Sequence, residues 1–212
     1  MSIPHPHKPF LIGIAGRSGS GKSEIARQLA DWLPGHTEVV SLDSYYFALD
    51  DISLEERDRR NFDHPDSLDW PLIVEHASAL ARGETIQEPI YLFAKHTRST
   101  ETRTVAPSSY VILEGLFALH EARVREQLSA RVFVETPDEI CFQRRKVRDV
   151  CERGRTLESV ETQYSQNVRP MADQFVSPTS AHADLILRGD VELESTMTVA
   201  REYFTQAKSA AV

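Results

Sequence analysis

Strands alternating with amphipathic helices predict an α/β protein, a five-stranded parallel sheet covered by helices on both faces. Three observations carry this. The strand candidates are short, near-continuous apolar runs, as expected when both sheet faces are covered. The segments between them repeat at helical spacing, which calls for right-handed crossovers between parallel strands. A glycine-rich stretch lies between the first strand and the first helix.

Phe10–Ile14 opens the series of strands, followed by Glu38–Leu42, Tyr110–Leu113, Val132–Val134 and Asp184–Leu187. Glu24–Leu33 places Ile25, Leu29 and Leu33 on one helical face and stops at Pro34-Gly35. Asp69-Trp70-Pro71 reads as a cap and first turn leading into Leu72–Ala81, with Gly83 as the stop. Thr136-Pro137-Asp138 opens a helix that runs to about Cys151; Leu157–Met171 makes another, and Glu192–Ala207 closes the chain. One section departs from the rhythm. Glu84–Val105 holds short β-type pieces, Thr85–Gln87, Ile90–Phe93 and Thr100–Val105, between polar turns. It reads as a small β-rich flap, and flaps inserted over α/β sheets often cover substrates.

At 212 residues the chain is read as one domain spanning 1–212, able to bury about 70% of its unfolded surface. The 24 Lys and Arg against 32 Asp and Glu, net −8, argue against a general nucleic-acid or anionic-membrane surface. Phosphate binding must then be local. Cys141 and Cys151 have no metal-ligand spacing and read as reduced thiols. The start, MSIPHPHKPF, has no apolar signal region, and His5 and His7 read as part of a frayed leader. No run approaches the roughly 18 apolar residues of a membrane span, so a soluble, cytoplasmic chain is expected.

Gly16-Arg17-Ser18-Gly19-Ser20-Gly21-Lys22-Ser23 fits G-x-x-x-x-G-K-[ST], the phosphate-binding P-loop, in its required strand–loop–helix setting. The expected architecture is therefore the P-loop NTPase fold. Glycines let successive N–H groups converge on a phosphate. Gly16, Ser18, Gly19, Ser20, Gly21, Lys22 and Ser23 are the candidate nucleotide contacts, with Lys22 on the β- and γ-phosphates and the Ser23 hydroxyl on Mg²⁺.

Ligands of open α/β sheets sit beyond the carboxyl ends of strands, where two acids follow apolar runs. Asp43 follows Val39-Val40-Ser41-Leu42, and Glu114 follows Val111-Ile112-Leu113. Either carboxylate could hold Mg²⁺ or orient and deprotonate an attacking hydroxyl. Asp63, within Asn61-Phe62-Asp63-His64-Pro65-Asp66, is a candidate for sugar hydroxyls in a segment that could equally be a plain turn. Arg144, Arg145, Lys146 and Arg148, continuing to Arg153-Gly154-Arg155, concentrate positive charge in an acidic chain. Such a segment, 137–156, suits a lid over a transferring phosphoryl group, although Asp138, Glu139, Asp149 and Glu152 could pair with its arginines.

The chain resembles the uridine kinase (uridine/cytidine kinase) group of the phosphoribulokinase/uridine kinase family of P-loop kinases, from about Phe10 to Gly189. The resemblance is carried by GIAGRSGSGKS, SLDSYY, NFDHPDSLD, PIYLFAKHTR, VILEG and RRKVRDVCERGR, with Gln163 and Arg169-Pro170 after them. It implies that Asp43 activates a nucleoside 5′-hydroxyl and that Glu114 with Ser23 forms the magnesium site. It further implies that Asp63, Arg155 and Gln163 bind the ribose, that Phe62, Tyr91, Phe93 and His96 form the pyrimidine pocket, and that Arg145, Arg148 and Arg153 belong to the closing lid. A flat base suits aromatic walls, and His96 can hydrogen-bond at the pyrimidine 4-position.

The implied reaction moves the γ-phosphoryl of ATP or GTP, with Mg²⁺, to uridine or cytidine, in a homo-oligomer that the family makes a tetramer. Phosphoribulokinase-like and pantothenate kinase-like enzymes, or a nucleotide-dependent switch, are the alternatives. Tyr91, His96 and NFDHPD favour a nucleoside, and no N-K-x-D guanine-reading motif supports the switch. Two residues depart from the family pattern. Leu92 stands where an acid is common and bears on base preference, and Phe47 stands where a basic residue is frequent.

Overall fold

The computed structural model describes residues 8–152 and 154–209, so His5, His7 and the lid candidate Arg153 lie outside the described residues. In chain order the elements are β1 (Phe10–Gly16), α1 (Lys22–Trp32), β2 (Thr37–Ser41), α2 (Leu54–Asp58), α3 (Trp70–Ala81), β3 (Ile86–Leu92), β4 (Thr97–Val105), β5 (Tyr110–Glu114), α4 (Ala122–Arg125), β6 (Ala130–Glu135), α5 (Asp138–Cys151), α6 (Leu157–Gln163), α7 (Arg169–Met171), β7 (Leu185–Arg188) and α8 (Leu193–Ser209). The main sheet has the order β2-β5-β1-β6-β7, with all pairs parallel. β1 is central, and the chain winds outward from it in both directions. The crevice of such a sheet opens where the order reverses, at the carboxyl end of β1. The glycine-rich loop begins there.

Period-two alternation explains the apolar strands. Leu11 and Ala15 of β1 pack with Val111 and Leu113 of β5 into a core on one face, covered by Ile73, Ala77 and Leu80 of α3. Ile12 and Ile14 face the other way with Ile112, Val132 and Val134, under Ile25, Ala26 and Leu29 of α1 and Met197, Ala200 and Phe204 of α8. Each fully buried large apolar side chain contributes about 1.5–3 kcal/mol, so a strand apolar on both faces is useful only when both are covered. The Asp69 side chain accepts from Leu72 N–H at 3.2 Å, and Pro71 lies in the first turn of α3, as the cap pattern predicts. No helix among the described residues is long and apolar enough to cross a membrane. Both cysteines are free, Cys141 buried and Cys151 exposed.

The expected β-rich piece is a separate antiparallel hairpin of β3 and β4. What read as two pieces, Thr85–Gln87 and Ile90–Phe93, is one strand whose register shifts between Pro89 and Tyr91. A bulge is where a strand tolerates a residue with no N–H to give. The hairpin is anchored at its base: Arg103 donates to Glu88 (2.6 Å), Glu38 (2.9 Å) and the Val39 carbonyl (2.6 Å), while Glu88 accepts from Ser41 N–H (3.3 Å).

The helix expected over Leu157–Met171 is longer and less regular. From α6 the chain continues through a π-helical turn at Tyr164–Val168, α7, a second π-helical turn at Ala172–Val176 and a 3₁₀ turn at Ser177–His182. Pro170 lies inside this run and cannot donate to a regular ladder, which wide turns accommodate. The phase matters. At about 100° per residue, Tyr164 and Asp173 would face opposite sides of a straight α-helix. Here Tyr164 reaches Asp138 and Asp173 reaches Arg17, two side chains that are themselves paired.

Gly189, just past β7, holds the phosphate loop in place in a way no local pattern signalled. A β-carbon there would lie 2.1 Å from the Ser20 carbonyl oxygen and 2.2 Å from Thr136 Oγ1. Thr136 Oγ1 itself donates to that carbonyl at 2.9 Å. Gly189→Ala must push the loop off its seat, and an overpacked site of this kind costs about 1–3 kcal/mol. A lowered urea midpoint with an unchanged slope is the expected result.

Candidate active site

The phosphate loop is pressed onto α5. Gly19 has φ +84, and a β-carbon on it would sit 2.4 Å from the Cys141 carbonyl oxygen, so both backbone angle and space demand glycine. Ser20 N–H donates to the Arg17 carbonyl at 3.0 Å, and Arg144 donates to the Gly189 carbonyl at 2.8 Å. Gly21 caps α1 with φ 95, and Lys22 and Ser23 form its first turn, where the positive end of the helix dipole favours an anion. The Ser20 hydroxyl is buried without a hydrogen-bond partner among the described residues.

Glu114 ends β5 in register with Ser41 of β2 and Ile14 of β1. Its two carboxylate oxygens accept from the Ser23 hydroxyl and the Ser41 hydroxyl, each at 3.0 Å. Carboxylate and hydroxyl oxygens are the hard donors that suit Mg²⁺, which takes one or two protein ligands and completes its shell from phosphates and water. Ser23 and Glu114 therefore fit the ion.

A cavity of about 730 Å³ lies beside the loop. Ser18 and Lys22 line it at the loop, and Asp43 lines it from the turn after β2. Phe62, Asp63, Tyr91, Phe93 and His96 line the remainder with Arg145, Arg148, Arg155 and Gln163. These side chains come from distant stretches of sequence, and the fold brings them to one space.

Arg145 connects the two ends. Its guanidinium, almost wholly buried, donates to the Ser18 hydroxyl (3.0 Å), Asp63 (3.4 Å) and Gln163 (3.2 Å), and pairs with Asp149 (3.3 Å). Arg148 also reaches Ser18 at 3.5 Å, and Arg155 donates to Gln163 and to Ser159 (2.8 Å). Burial raises the Asp63 carboxyl above the ordinary aspartate range; neighbouring Arg145 opposes this and Asp43 adds to it.

The aromatic wall is built from the hairpin and the NFDHPD segment. Phe62 and His96 stack with ring centroids 4.8 Å apart at 19°, and Tyr46 meets the edge of Phe62 at 5.4 Å. Tyr91 and Phe93 meet at 5.3 Å. His96 holds a left-handed backbone, φ 48 and ψ 49, the positive φ found at a non-glycine residue among those described. The Tyr91 hydroxyl is buried without a hydrogen-bond partner among the described residues, and burial pushes its pKa up to about 12.

Several supporting residues escaped sequence reasoning. Arg98 donates to the Tyr45 and Tyr46 carbonyls, each at 2.8 Å, and to Asp69 at 3.0 Å, holding the turn that carries Asp43 under the hairpin. Its guanidinium also lies 6.0 Å over the ring of Phe47, where the resemblance leads one to expect a basic residue. Asp149, fully buried, takes Arg145, Arg148 (2.9 Å) and Arg155 (3.8 Å). The competing reading, that acids on this helix pair with its arginines, is correct for Asp149, and those arginines still front the cavity. The helical spacing of Arg145 to Asp149 carries that expectation; Arg98 and Ser41 lie inside PIYLFAKHTR and SLDSYY with no local sign of their partners, and nothing local marks Gly189.

The arrangement resembles known proteins at three levels. A family signature described as "Phosphoribulokinase / Uridine kinase family" matches residues 11–193. The uridine kinase of Escherichia coli (strain K12) is 46% identical over 186 residues, covering 85% of this chain and 87% of that protein. The uridine kinase of Salmonella paratyphi B is 45% identical over the same span. Among solved structures, phosphoribulokinase from Rhodobacter spheroides superposes with a TM-score of 0.66 at 16% identity, covering 85% of this chain and 70% of that one. D-glycerate 3-kinase from Cryptococcus neoformans gives 0.61 at 19% identity, covering 87% and 88%. Those two likenesses are of fold. With the signature spanning most of the chain and close relatives aligned along its length, the protein belongs to the phosphoribulokinase/uridine kinase family.

Proposed function

We propose that this protein is a uridine/cytidine kinase that transfers the γ-phosphoryl of ATP or GTP to the nucleoside 5′-hydroxyl. The observation that carries this reading is the continuity of the cavity: Lys22 and Ser18 of the phosphate loop, Asp43, and the Asp63–aromatic recess line one space. A cavity of about 730 Å³ has room for a nucleoside beside a phosphate tail.

Lys22 and the loop amides hold the donor phosphates, and Ser23 with Glu114 would hold Mg²⁺. When bound, that ion neutralises phosphate charge and orients the phosphates. Asp63, Arg155 and Gln163 grip the ribose diol, and Phe62, Tyr91, Phe93 and His96 receive the pyrimidine. Asp43 accepts the proton of the 5′-hydroxyl as its oxygen bonds to the γ-phosphorus. The bond between that phosphorus and the β–γ bridging oxygen breaks, and the diphosphate leaves. Arg145 and Arg148 offset charge on the transferring group, aided on the resemblance by Arg153. The chain acts as one kinase domain over 1–212, with 84–105 as the acceptor flap and 137–156 as the lid, and as a cytoplasmic homotetramer without nucleic-acid or membrane partners.

A panel of acceptors with γ-labelled ATP and GTP tests the reading. Phosphate incorporation into uridine and cytidine is expected, and incorporation only into ribulose 5-phosphate or pantothenate, or hydrolysis alone, would overturn it. Asp43→Asn should lower kcat by about 100-fold or more while nucleoside affinity, measured calorimetrically, is kept. Asp63 supplies the pH signature. Below its raised pKa the carboxyl is protonated, one of its oxygens becomes a donor and its bonds to the ribose hydroxyls lose their charge assistance; above it the carboxylate accepts from both. kcat/KM for uridine should therefore rise with pH through a value above the ordinary aspartate range. Asp63→Asn should abolish that limb of the profile.

A further inference from the structure

Arg17 occupies the second position of the phosphate loop, yet its guanidinium is engaged by the protein itself. It donates to Asp138 at 2.8 Å, to Ser177 at 3.0 Å and to Asp173. Asp173 is more than half exposed, so that contact is screened and contributes little. Asp138, 29% exposed, is the more consequential partner, because it also accepts from the Tyr164 hydroxyl at 2.8 Å and from Arg169 at 2.6 Å. The next loop residue, Ser18, is tied through Arg145 to Gln163. Two neighbouring loop residues are thus bound to two neighbouring helix residues, by the paths Arg17–Asp138–Tyr164 and Ser18–Arg145–Gln163. One tie fixes a distance. Two side by side also resist rotation, so the helix bearing Gln163 cannot turn without moving the loop.

We propose that Arg17 is a positioning residue that, through Asp138 and Tyr164, couples the phosphate loop to the Gln163-bearing helix, so that nucleoside and nucleotide strengthen each other's binding. The inference rests on the nucleoside kinase reading above. It assigns the Arg17–Asp138–Tyr164 path a purpose beyond substrate contact: it holds the helix to the phosphate loop at a second point, one residue on from Gln163.

Calorimetric titration of the full chain with uridine, with and without a non-hydrolysable ATP analogue and Mg²⁺, tests the coupling. In the parent, the analogue should tighten uridine binding by about 5-fold or more. Arg17→Met and Tyr164→Phe should each bring that ratio below about 2-fold while changing uridine binding alone by less than about 2-fold. Arg17→Lys, which keeps the charge, should recover part of the ratio. Tyr164→Phe deletes a single hydroxyl and decides the matter if Arg17→Met fails to fold. A parental ratio near one, or undiminished ratios in folded variants, would overturn the role of Arg17 while parental turnover of uridine leaves the kinase reading standing. A parent that phosphorylates no nucleoside would overturn the kinase reading, and the coupling with it.

Discussion

One buried guanidinium sets the terms for the site. Arg145 sits out of solvent with polar partners on four segments: the phosphate loop, the NFDHPD segment, its own helix and the helix that follows. Taking such a charge and two carboxylates out of water costs several kcal/mol per ion, and replacing buried ion pairs by apolar groups often stabilises a protein. Stability is a poor reason for the cluster. Geometry is a better one, because a planar guanidinium with its donors in a rigid fork fixes the relative positions of whatever it binds. A lysine in its place would satisfy charge and lose that registration.

The scaffold supplies the coarse placement that this cluster refines. The sheet delivers the loop, Asp43 and Glu114 to the carboxyl ends of three adjacent strands, β1, β2 and β5. The hairpin borders the opening and is tied to the rest of the fold at two places. Arg103 binds its base to β2, and Arg98 binds it to the carbonyls of Tyr45 and Tyr46. Two arginines on one strand thus hold the aromatic wall over the turn bearing Asp43. Family membership concerns the whole of this framework, and the substrate reading concerns what the framework surrounds.

Local rules made the sheet, the loop and the two strand-end acids legible, because each is written within a few residues: an apolar run, then glycine or a carboxylate. The aromatic wall was not legible in that way. Tyr45 and Tyr46 are neighbours in sequence, yet Tyr45 is fully buried with its hydroxyl hydrogen-bonded to His76 while Tyr46 lines the cavity, and no periodicity separates them. Phe62, Tyr91 and His96 were placed by resemblance for the same reason. Arg98 and Gly189 depend on contacts made across the fold, which composition and spacing do not encode, whereas the pairing of Asp149 with the arginines of its own segment is written in helical spacing. The helix expected over Leu157–Met171 already runs through Pro170; what spacing does not encode is its passage through two wide turns and its continuation beyond Met171.

The stacked pair of Phe62 and His96 has a consequence for how a flat ring enters. At 4.8 Å between centroids the two faces already touch, so no third ring can intercalate between them. On the proposed function, a base would meet an exposed edge or face of the pair, or the left-handed turn at His96 would unwind to admit it. In the first case the pair is a preformed shelf; in the second, entry would separate the two rings and change the environment of the histidine.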